Sequence, residues 1–483
     1  MPTGVGGSPY RLPEGAGRVQ RIALHKGAMT EPVLVWLRQD LRLADQAAFL
    51  AAAAEGPVIP VYVLDDETPR HRRMGGASRW WLHHSLISLD TDLRKLGSRL
   101  VLRRGKVEDQ LACVARETGA RRVHALAHAE PWWRNAERAV AKTTDLVLHQ
   151  GQYLVPPATL RTGAGQPYRI YTPFWRSLLQ HMPPPPAVPA PSRLDGPAVW
   201  PASDALDDWH LLPAAPDWAG GMRETWTPGE AGALERLTAF ADHAARYGDR
   251  RNLPSVEGTS RLSPHLHFGE ISVATAWNAV AGAGGSVDVF LGELGWRDYA
   301  ANVLWQLPDY ATANAKPAYD RLIWRDAPDD VRAWQRGMTG YPIVDAGMRE
   351  LWATGWMHNR ARMIAASFLV KHLLIDWREG ERWFWDTLVD ADHAANAVNW
   401  QWTAGTGVDS QMFVRIMAPL TQSPKFDAAG YIRRWVPELA HLPEPLIHDP
   451  PVRPKAYPAP IIGHVEARAR ALAAHAHLKQ AID

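Results

Sequence analysis

The pattern of apolar residues changes once along this sequence, and the change predicts two kinds of folded domain. Between residues 33 and 155, short apolar runs alternate with amphipathic stretches of helical period. The apolar runs are Val33–Trp36, Val58–Leu64, Arg99–Leu102, Val123–Leu126 and Leu146–Leu148, and the clearest helical stretches are Ala77–Leu96 and Val107–Glu117. Such alternation is typical of a parallel sheet with crossover helices. From about residue 229 to 483 the period is helical and strand signals are nearly absent.

The chain therefore divides into four predicted parts. Residues 33–155 form a Rossmann-like α/β domain with a parallel sheet, and residues 229–483 form a larger all-α domain. The stretch 156–228 is rich in Pro, Ala and Asp, which predicts an interdomain linker. Residues 1–32 are Gly-rich and lack the apolar core of a secretory signal, so they are interpreted as a flexible N-terminal arm or as residues upstream of the native start.

Composition excludes several classes of protein. The single cysteine, Cys113, leaves no intramolecular disulfide and no cysteine-cluster metal site, so we expect a reducing, cytoplasmic compartment and no metal. The longest apolar stretch, Ile364–Trp377, is interrupted by charged residues and is too short to span a membrane. The chain has 23 Trp against 9 Phe and 12 Tyr, an excess that packing, base stacking or electron transfer explains equally well.

Six segments, in collinear order between about residues 33 and 475, together carry a family resemblance. They are Trp36–Leu43, Glu257–Pro264, Glu293–Arg297, Thr339–Asp345, Gly355–Met363, and Asp390–Asp392 with Asn399–Trp402. In this combination the sequence resembles the photolyase/cryptochrome family, most closely its bacterial members that act on cyclobutane pyrimidine dimers in DNA. The resemblance implies FAD in the all-α domain, active as reduced FADH⁻, and light-driven electron transfer to a flipped-out dimer. It implies no membrane and no obligate protein partner, and we expect a monomer.

A loop and the helix start that follows it form the first part of the flavin site that the resemblance implies. In the family these positions hold the phosphates and the ribityl chain of FAD, and here they are Tyr247, Thr259, Ser260, Arg261, Leu262 and Ser263. The residue types suit that role by themselves, because hydroxyls and backbone N–H groups at a helix start favour an anion and Arg261 adds positive charge. Read alone, Thr259 and Ser260 fit an ordinary helix cap equally well.

One face of a predicted helix supplies the second part of the flavin site. Asn359, Arg362 and Met363 fall at positions i, i+3 and i+4 and therefore share a face. A polar, a basic and a thioether side chain make a poor core stripe but a suitable wall for a ligand. By resemblance, Arg362 lies beside the isoalloxazine ring and pairs with the acid at Asp390.

The segment from residue 390 supplies the third part. By resemblance Asp390, Ala391 and Asp392 border the cofactor, whereas the two carboxylates read alone fit a solvated loop equally well. Asn396 corresponds to the position that faces N5 of the flavin, where repair enzymes usually have Asn, plant cryptochromes Asp and insect cryptochromes Cys. A neutral amide that hydrogen-bonds N5 favours the reduced anionic flavin, so Asn396 favours repair over signalling.

A third helix face, formed by Glu293, Trp296 and Arg297, is predicted to meet the DNA. By resemblance Glu293 hydrogen-bonds the dimer, as a carboxyl group can with thymine N3–H and O4, while Trp296 and Trp402 pack against it. Each tryptophan read alone is more typical of a core. Photolyases flip the damaged dinucleotide out of the duplex. The arginines expected at the flanking phosphates are Arg251, Arg360 and Arg415.

Two positions indicate which lesion is repaired. The (6-4) photolyases carry catalytic histidines where this chain has Asn359 and Met363, which favours cyclobutane dimers. These two residues, with Glu293 and Asn396, are the candidate catalytic residues.

Three tryptophans match the chain through which family members reduce their flavin in light. From the flavin outwards they are Trp400, Trp377 and Trp324. Tryptophan is readily oxidised, so three in series can carry charge from the core to the surface. Core packing explains the same residues without any such role.

The α/β domain is expected to hold a second, light-harvesting chromophore. Folate-using relatives carry an Asn-Glu pair after the strand that ends near Leu126, whereas this chain has Asn135, Ala136 and Glu137. The departure disfavours folate in that binding mode and leaves a deazaflavin, another flavin-like molecule or no chromophore open.

Three alternative functions stay open at this point. A cryptochrome-like photoreceptor often carries a long C-terminal extension, whereas here only the helical stretch Val465–Leu478 follows Ile461–His464. A (6-4) photolyase would need histidines at positions 359 and 363. A light-independent flavin oxidoreductase would leave the tryptophan chain and the Glu293–Trp296 face without a role.

Overall fold

Five short parallel strands form a sheet near the N-terminus, in the order β3-β2-β1-β4-β5. The computed structural model describes residues 31–69, 72–410 and 416–482. The strands are β1 (Val33–Leu37), β2 (Val58–Leu64), β3 (Val101–Arg104), β4 (Arg122–Leu126) and β5 (Asp145–His149). Every residue of β1 and β2 is buried, as expected of a parallel sheet with helices on both faces.

Four helices cover the two faces of this sheet. They are α1 (Ala47–Glu55), α2 (Gly76–Lys95), α3 (Val107–Thr118) and α4 (Pro131–Val140). Alternate residues of β1 point to opposite sides: Val35 packs with the α1 and α2 side, and Trp36 with the α3 and α4 side. The strand order reverses direction at β1 and β4, the position where doubly wound sheets open a crevice.

The stretch 156–228 holds more structure than the predicted linker. It contains α5 (Tyr171–Leu179) and α6 (Gly220–Thr225). Phe174 and Leu178, one helical turn apart in α5, are 3% and 0% exposed and belong to a core cluster shared with the helical part. Among so many prolines, this short apolar face gave too weak a periodic signal to be read as a helix.

From residue 229 onwards the described residues are helical and contain no strand. The helices are α7 (Glu230–Ala241), α8 (Tyr247–Arg250), α9 (Ser263–His267), α10 (Val273–Val280), α11 (Val287–Gln306), α12 (Pro328–Gln335), α13 (Pro342–Thr354), α14 (Asn359–Ser367), α15 (Trp377–Thr387), α16 (His393–Ala404), α17 (Pro419–Lys425), α18 (Ala429–Trp435) and α19 (His464–Ile482). The largest core cluster is built mainly from α13, α14, α15, α16 and α18. The predicted fold class, a parallel α/β part followed by a larger all-α part, is confirmed.

Buried polar contacts join the sheet-bearing part to the helical part. Trp81 donates to Glu270 at 2.9 Å, and Arg72 donates to both carboxylate oxygens of Glu381 at 2.7 and 2.8 Å. Residues from Glu31 onwards form one compact unit. The boundaries 33–155, 156–228 and 229–483 stay a prediction. No helix among the described residues is both long and apolar enough to cross a membrane.

Candidate functional site

A cavity of about 500 Å³ opens between helices of the all-α part. This volume lies in the range of sites for cofactors and drug-sized ligands. Residues from α8, α11, α14, α16 and the loop before α9 line it together. The residues predicted from the sequence that line the cavity are Tyr247, Arg251, Thr259, Ser260, Arg261, Ser263, Glu293, Trp296, Arg297, Asn359, Arg360, Arg362, Met363, Asp390, Asp392, Asn396, Trp400 and Trp402.

The other predicted site residues lie elsewhere. Leu262 and Ala391 are buried in core clusters next to residues of the lining, so their side chains do not face the cavity. Trp377 is fully buried and Trp324 packs at the edge of the same core cluster. Arg415 lies outside the described residues.

An ion pair fixes one corner of the cavity. Arg362 donates to Asp390 Oδ2 at 2.8 Å and to the carbonyl of Met357 at 2.7 Å. Ser263 donates its hydroxyl to the same Asp390 oxygen at 2.6 Å. Asp390 Oδ1 is buried and has no hydrogen-bond partner among the described residues. Because an unpaired buried carboxylate oxygen is costly, this corner is suited to a ligand that donates a hydrogen bond.

Asn396 is held from behind by a buried carboxylate. Its Nδ2 donates to the backbone carbonyl of Glu381 at 3.1 Å and to Glu381 Oε1 at 2.9 Å. Glu381 is completely buried and is itself bound by Arg72. Both amide hydrogens of Asn396 are therefore engaged, which leaves its carbonyl oxygen as an acceptor for the cavity. Burial raises the pKa of Glu381, and Arg72 opposes the rise.

A second ion pair lies where the predicted DNA-contacting residues meet the cavity. Arg251 and Glu293 form a short ion pair. The Arg251 side chain is 15% exposed and that of Glu293 35%. The sequence predicted separate partners for these two residues, a phosphate and a base. The structure instead pairs the two side chains with each other, a contact between distant residues that no local motif could reveal.

Two further arginines of the lining, Arg261 and Arg360, form no ion pair with a carboxylate among the described residues. Arg360 Nε donates to the Asn252 side chain at 2.8 Å. Burial, together with nearby Arg251, lowers the pKa of Arg360. Arg261 lies over the Trp356 ring at 4.9 Å. Uncompensated positive charge of this kind favours a phosphate-bearing ligand.

Arg297 lines the cavity, and its guanidinium also contacts the segment that follows β5. It donates to the backbone carbonyl of Gln152 at 2.8 Å and lies 3.7 Å from Asp298. Its guanidinium is also 5.3 Å from the centre of the Tyr153 ring. These contacts engage Arg297 in the junction between the two parts of the molecule.

The predicted electron-transfer tryptophans share one core. Trp400 lines the cavity and is 2% exposed. Gly380 allows its close approach to α15, because a Cβ at this position would lie 2.1 Å from the Trp400 ring. Trp377 lies one turn before Gly380 and donates its indole N–H to Asn314 at 2.9 Å. Trp400 and Trp377 thus flank the same helix turn, with Trp324 at the edge of their cluster.

The segment that corresponds to the Asn-Glu pair of folate-using relatives forms an internal ion pair. Glu137 is 4% exposed and accepts from Arg38 at 2.6 Å, and burial raises its pKa. Asn135 is exposed and bonds to Arg138 on the next turn. The Asn135-Ala136-Glu137 sequence therefore presents no adjacent pair of free amide and carboxylate groups.

Three residues that matter to the site were missed from the sequence. His267 lines the cavity, and burial lowers its pKa. Glu381 orients Asn396, and Tyr171 stacks on Trp296. Glu381 and Tyr171 act through partners that are distant in the chain or lie on another helix, so no local pattern marks them.

Comparisons with known proteins agree with this arrangement. A family model described as DNA photolyase matches residues 33–192, and one described as the FAD binding domain of DNA photolyase matches residues 290–477. A deoxyribodipyrimidine photo-lyase of Agrobacterium fabrum is 47% identical over 93% of this chain and 99% of its own length.

Solved structures are similar over almost the whole chain. A bacterial class III photolyase from Agrobacterium tumefaciens is 46% identical with a TM-score of 0.90, covering 95% of this chain and 100% of that one. An archaeal photolyase from Sulfolobus tokodaii, solved with two FAD molecules, is 30% identical with a TM-score of 0.80, covering 92% and 100%.

The protein combines a parallel α/β sheet with a helical part that contains an arginine-lined cavity. This architecture is that of a cofactor-binding protein. The relatives then decide the family. The chain belongs to the DNA photolyase family, and its helical part is an FAD-binding domain of that family.

The residues present fit FAD. Thr259 and Ser260 supply hydroxyls, and Arg261 supplies a charge for the pyrophosphate. The unpaired oxygen of Asp390 and the free carbonyl of Asn396 supply acceptors for N–H groups of a ring system. These polar and charged groups would have no role if the cavity were simply part of a hydrophobic core.

Proposed function

We propose that this protein repairs cyclobutane pyrimidine dimers in DNA, driven by light and dependent on FAD. One observation carries the proposal: a single cavity is lined both by the cofactor-binding corner at Asp390 and by the flat aromatic walls and carboxylate at Trp296, Trp402 and Glu293. A cofactor and a flipped dinucleotide held in one cavity are close together, and a short separation favours electron transfer between them.

The cofactor is held by charge and by fixed acceptors. The ion pair of Arg362 and Asp390 would lie beside the flavin ring, while Tyr247 and the segment from Thr259 to Ser263 would hold its phosphates and ribityl chain. When bound, reduced and excited by light, FAD supplies one electron to the dimer. Asn396 presents its carbonyl to the flavin edge, because Glu381 takes up both of its amide hydrogens.

The lesion is recognised by stacking and by one hydrogen-bonding group. Trp296 and Trp402 supply apolar walls for bases that have lost their neighbours in the duplex. Glu293 accepts from the base edge once DNA phosphates compete for Arg251. Arg251, Arg360 and Arg415 contact the phosphates that flank the lesion, whereas Arg297 contributes to the junction behind the cavity.

Asn359 and Met363 favour cyclobutane dimers over (6-4) photoproducts. Both line the cavity, and neither can act as the acid that a histidine supplies. Trp400, Trp377 and Trp324 serve photoreduction of the cofactor rather than repair. We further propose a cytoplasmic monomer, with an antenna chromophore that does not use the Asn135–Glu137 segment as an Asn-Glu pair.

The test is repair of a defined thymine-dimer oligonucleotide by the purified, chemically reduced protein in blue light and in the dark. We expect intact thymines to return in light only, and no repair of a matched (6-4) oligonucleotide. Glu293→Ala should lower repair while flavin stays bound, because Glu293 lies on the lesion side of the cavity.

A protein that binds and photoreduces flavin but repairs neither oligonucleotide would contradict the proposal and favour a photoreceptor. Repair of the (6-4) lesion alone would contradict the role given to Asn359 and Met363. Loss of flavin from the Glu293→Ala variant would place that residue in the cofactor site instead.

A further inference from the structure

The helix α5, from the stretch predicted to be a linker, supports a wall of the proposed lesion site. Its first residue, Tyr171, stacks on Trp296 with ring centroids 3.6 Å apart and planes inclined by 8°. Trp296 lines the cavity and Tyr171 does not. Tyr171 therefore lies behind the Trp296 ring as seen from the cavity.

Tyr171 is itself fixed at three points. Its hydroxyl donates to the backbone carbonyl of Gly292 in α11 at 2.7 Å. Its backbone N–H donates to Asp409 Oδ2 at 2.9 Å. Its outer face stacks on Trp175 at 6.2 Å and 14°. The Tyr171 ring is thus a rigid support rather than a mobile surface side chain.

Two glycines of α11 lie next to the aromatic rings of α5. A Cβ on Gly295 would lie 2.5 Å from the Trp175 ring, and one on Gly292 would lie 3.6 Å from the Tyr171 hydroxyl. They stand one turn apart on the helix that carries Glu293 and Trp296. The absence of a side chain at Gly295 lets the Trp175 ring approach the backbone of α11, whereas a Cβ at Gly292 would make only an ordinary contact.

We propose that Tyr171 is a positioning residue for dimer recognition, which sets the plane of Trp296 before DNA arrives. The inference rests on the proposed function. If the Trp296 side chain had to become ordered when DNA binds, the lost conformational entropy would weaken the affinity. A ring that is already ordered in the free protein avoids this cost. Tyr299 meets the edge of the Trp296 ring at 5.4 Å and 86°, so the indole is held on one face and one edge. Burial raises the pKa of the Tyr171 hydroxyl, which therefore stays a hydrogen-bond donor at neutral pH.

The experiment measures the dissociation constants for a dimer-containing oligonucleotide and for the undamaged oligonucleotide of the same sequence. Tyr171→Leu should weaken dimer binding by about three- to tenfold, the range of a lost aromatic pair, and leave undamaged binding unchanged. Tyr171→Phe keeps the stacked ring and should stay within about twofold of the parent for both. Repair at saturating DNA and flavin content should not change.

Tyr168→Leu is the matched control, because Tyr168 lies on the same segment and contacts Phe174 rather than Trp296. A double-mutant cycle with Trp296→Leu separates positioning from packing. In the Trp296→Leu background, Tyr171→Leu should cause no further loss of dimer affinity.

Equal weakening for both oligonucleotides, no change in Tyr171→Leu, or additive effects in the cycle would each overturn the positioning role. Should the leucine variant lose flavin, Tyr171→Met replaces it with a non-planar side chain of similar length, and a change in discrimination below about twofold overturns the proposal. If the parent protein itself does not discriminate between the two oligonucleotides, the proposed function fails and this inference falls with it.

Discussion

At the scale of single residues, the carboxylate of Glu381 determines which way the side-chain amide of Asn396 points. The amide donates twice to Glu381 and so can only accept from the cavity. An Asn side chain that is read off a sequence has two orientations with opposite hydrogen-bonding character. The neighbouring charge selects one of them.

Replacing this amide by a carboxyl group tests the arrangement. In Asn396→Asp, an oxygen takes the place of the Nδ2 that lies 2.9 Å from Glu381 Oε1. Two carboxylates at this distance cannot both ionise easily, so the pKa of the new group is raised in the folded state. The folded protein then binds more protons than the unfolded chain, and stability relative to the parent falls as pH rises above about 4.

At about 1.4 kcal/mol per pKa unit, we expect a deficit of roughly 2–3 kcal/mol at pH 8 that falls to about half of this at pH 5 and vanishes below about pH 4. Thermal unfolding at both pH values measures it. Asn399→Asp, an exposed position on the same helix, is the control and should show little dependence on pH. A deficit independent of pH would show that the two carboxyl groups do not interact.

The sequence was most informative about residues that share a local face. Asn359, Arg362 and Met363 line the same cavity, as their spacing predicted. Glu381 was missed because its partners, Asn396 and Arg72, are 15 and 309 residues away. The roles of the lining residues stay predictions, since position alone does not assign chemistry.

At the scale of secondary-structure elements, two glycines of α11 differ in how closely the rings of α5 approach them. Gly292 and Gly295 both lie inside α11, where alanine favours a helix by about 0.5–1 kcal/mol over glycine. Only Gly295 lies close enough to another ring for a Cβ to collide.

The two alanine substitutions should therefore have opposite effects on stability. Gly292→Ala should raise the free energy of unfolding by a few tenths to about 1 kcal/mol, because its Cβ meets only an ordinary contact. Gly295→Ala should lower it by roughly 1–3 kcal/mol, because Trp175 must move. Denaturant unfolding of the two variants side by side gives the comparison. If both substitutions stabilised the protein, α5 would be able to shift away from α11 without cost, and the collision expected at Gly295 would be wrong.

Elements were predictable where their periodicity was long and uninterrupted. The predicted Val58–Leu64 strand coincides with β2, and the predicted Ala77–Leu96 stretch is shifted by one residue from α2. The helix α5 has only nine residues between proline-rich segments. Its amphipathic face becomes visible only where it packs against α11, and a short helix depends on such tertiary packing for its stability.

At the scale of the whole molecule, the sheet-bearing part and the helical part are joined by buried polar groups. Arg42 is 1% exposed and donates to the carbonyls of Gly151 and Gly269, each at 3.0 Å. It also reaches the carbonyl of Asp45. One guanidinium thus binds two segments of the sheet-bearing part, at Asp45 and Gly151, and one segment of the helical part, at Gly269.

Arg42→Met should lower the stability of both parts together. Leaving buried carbonyls unpaired costs about 1–3 kcal/mol per group, so for three carbonyls we expect a loss of at least about 3 kcal/mol. Flavin release and loss of helical circular dichroism on heating should shift to lower temperature by the same amount. Arg116→Met, at an exposed position of α3, is the control. Release of flavin well before the loss of helix would show that the two parts unfold independently.

The bond between Arg72 and Glu381 bears on how such a protein can be divided. The arginine belongs to the N-terminal portion, and the carboxylate that it neutralises orients Asn396 in the lining of the cavity. The helical portion is therefore not a self-sufficient module. A shortened chain that lacks the N-terminal portion, or a chimera that replaces it with one lacking an arginine at this point, inherits a buried uncompensated charge beside the flavin. We expect exchange of one portion alone to be tolerated only where the incoming portion carries a cation at this point.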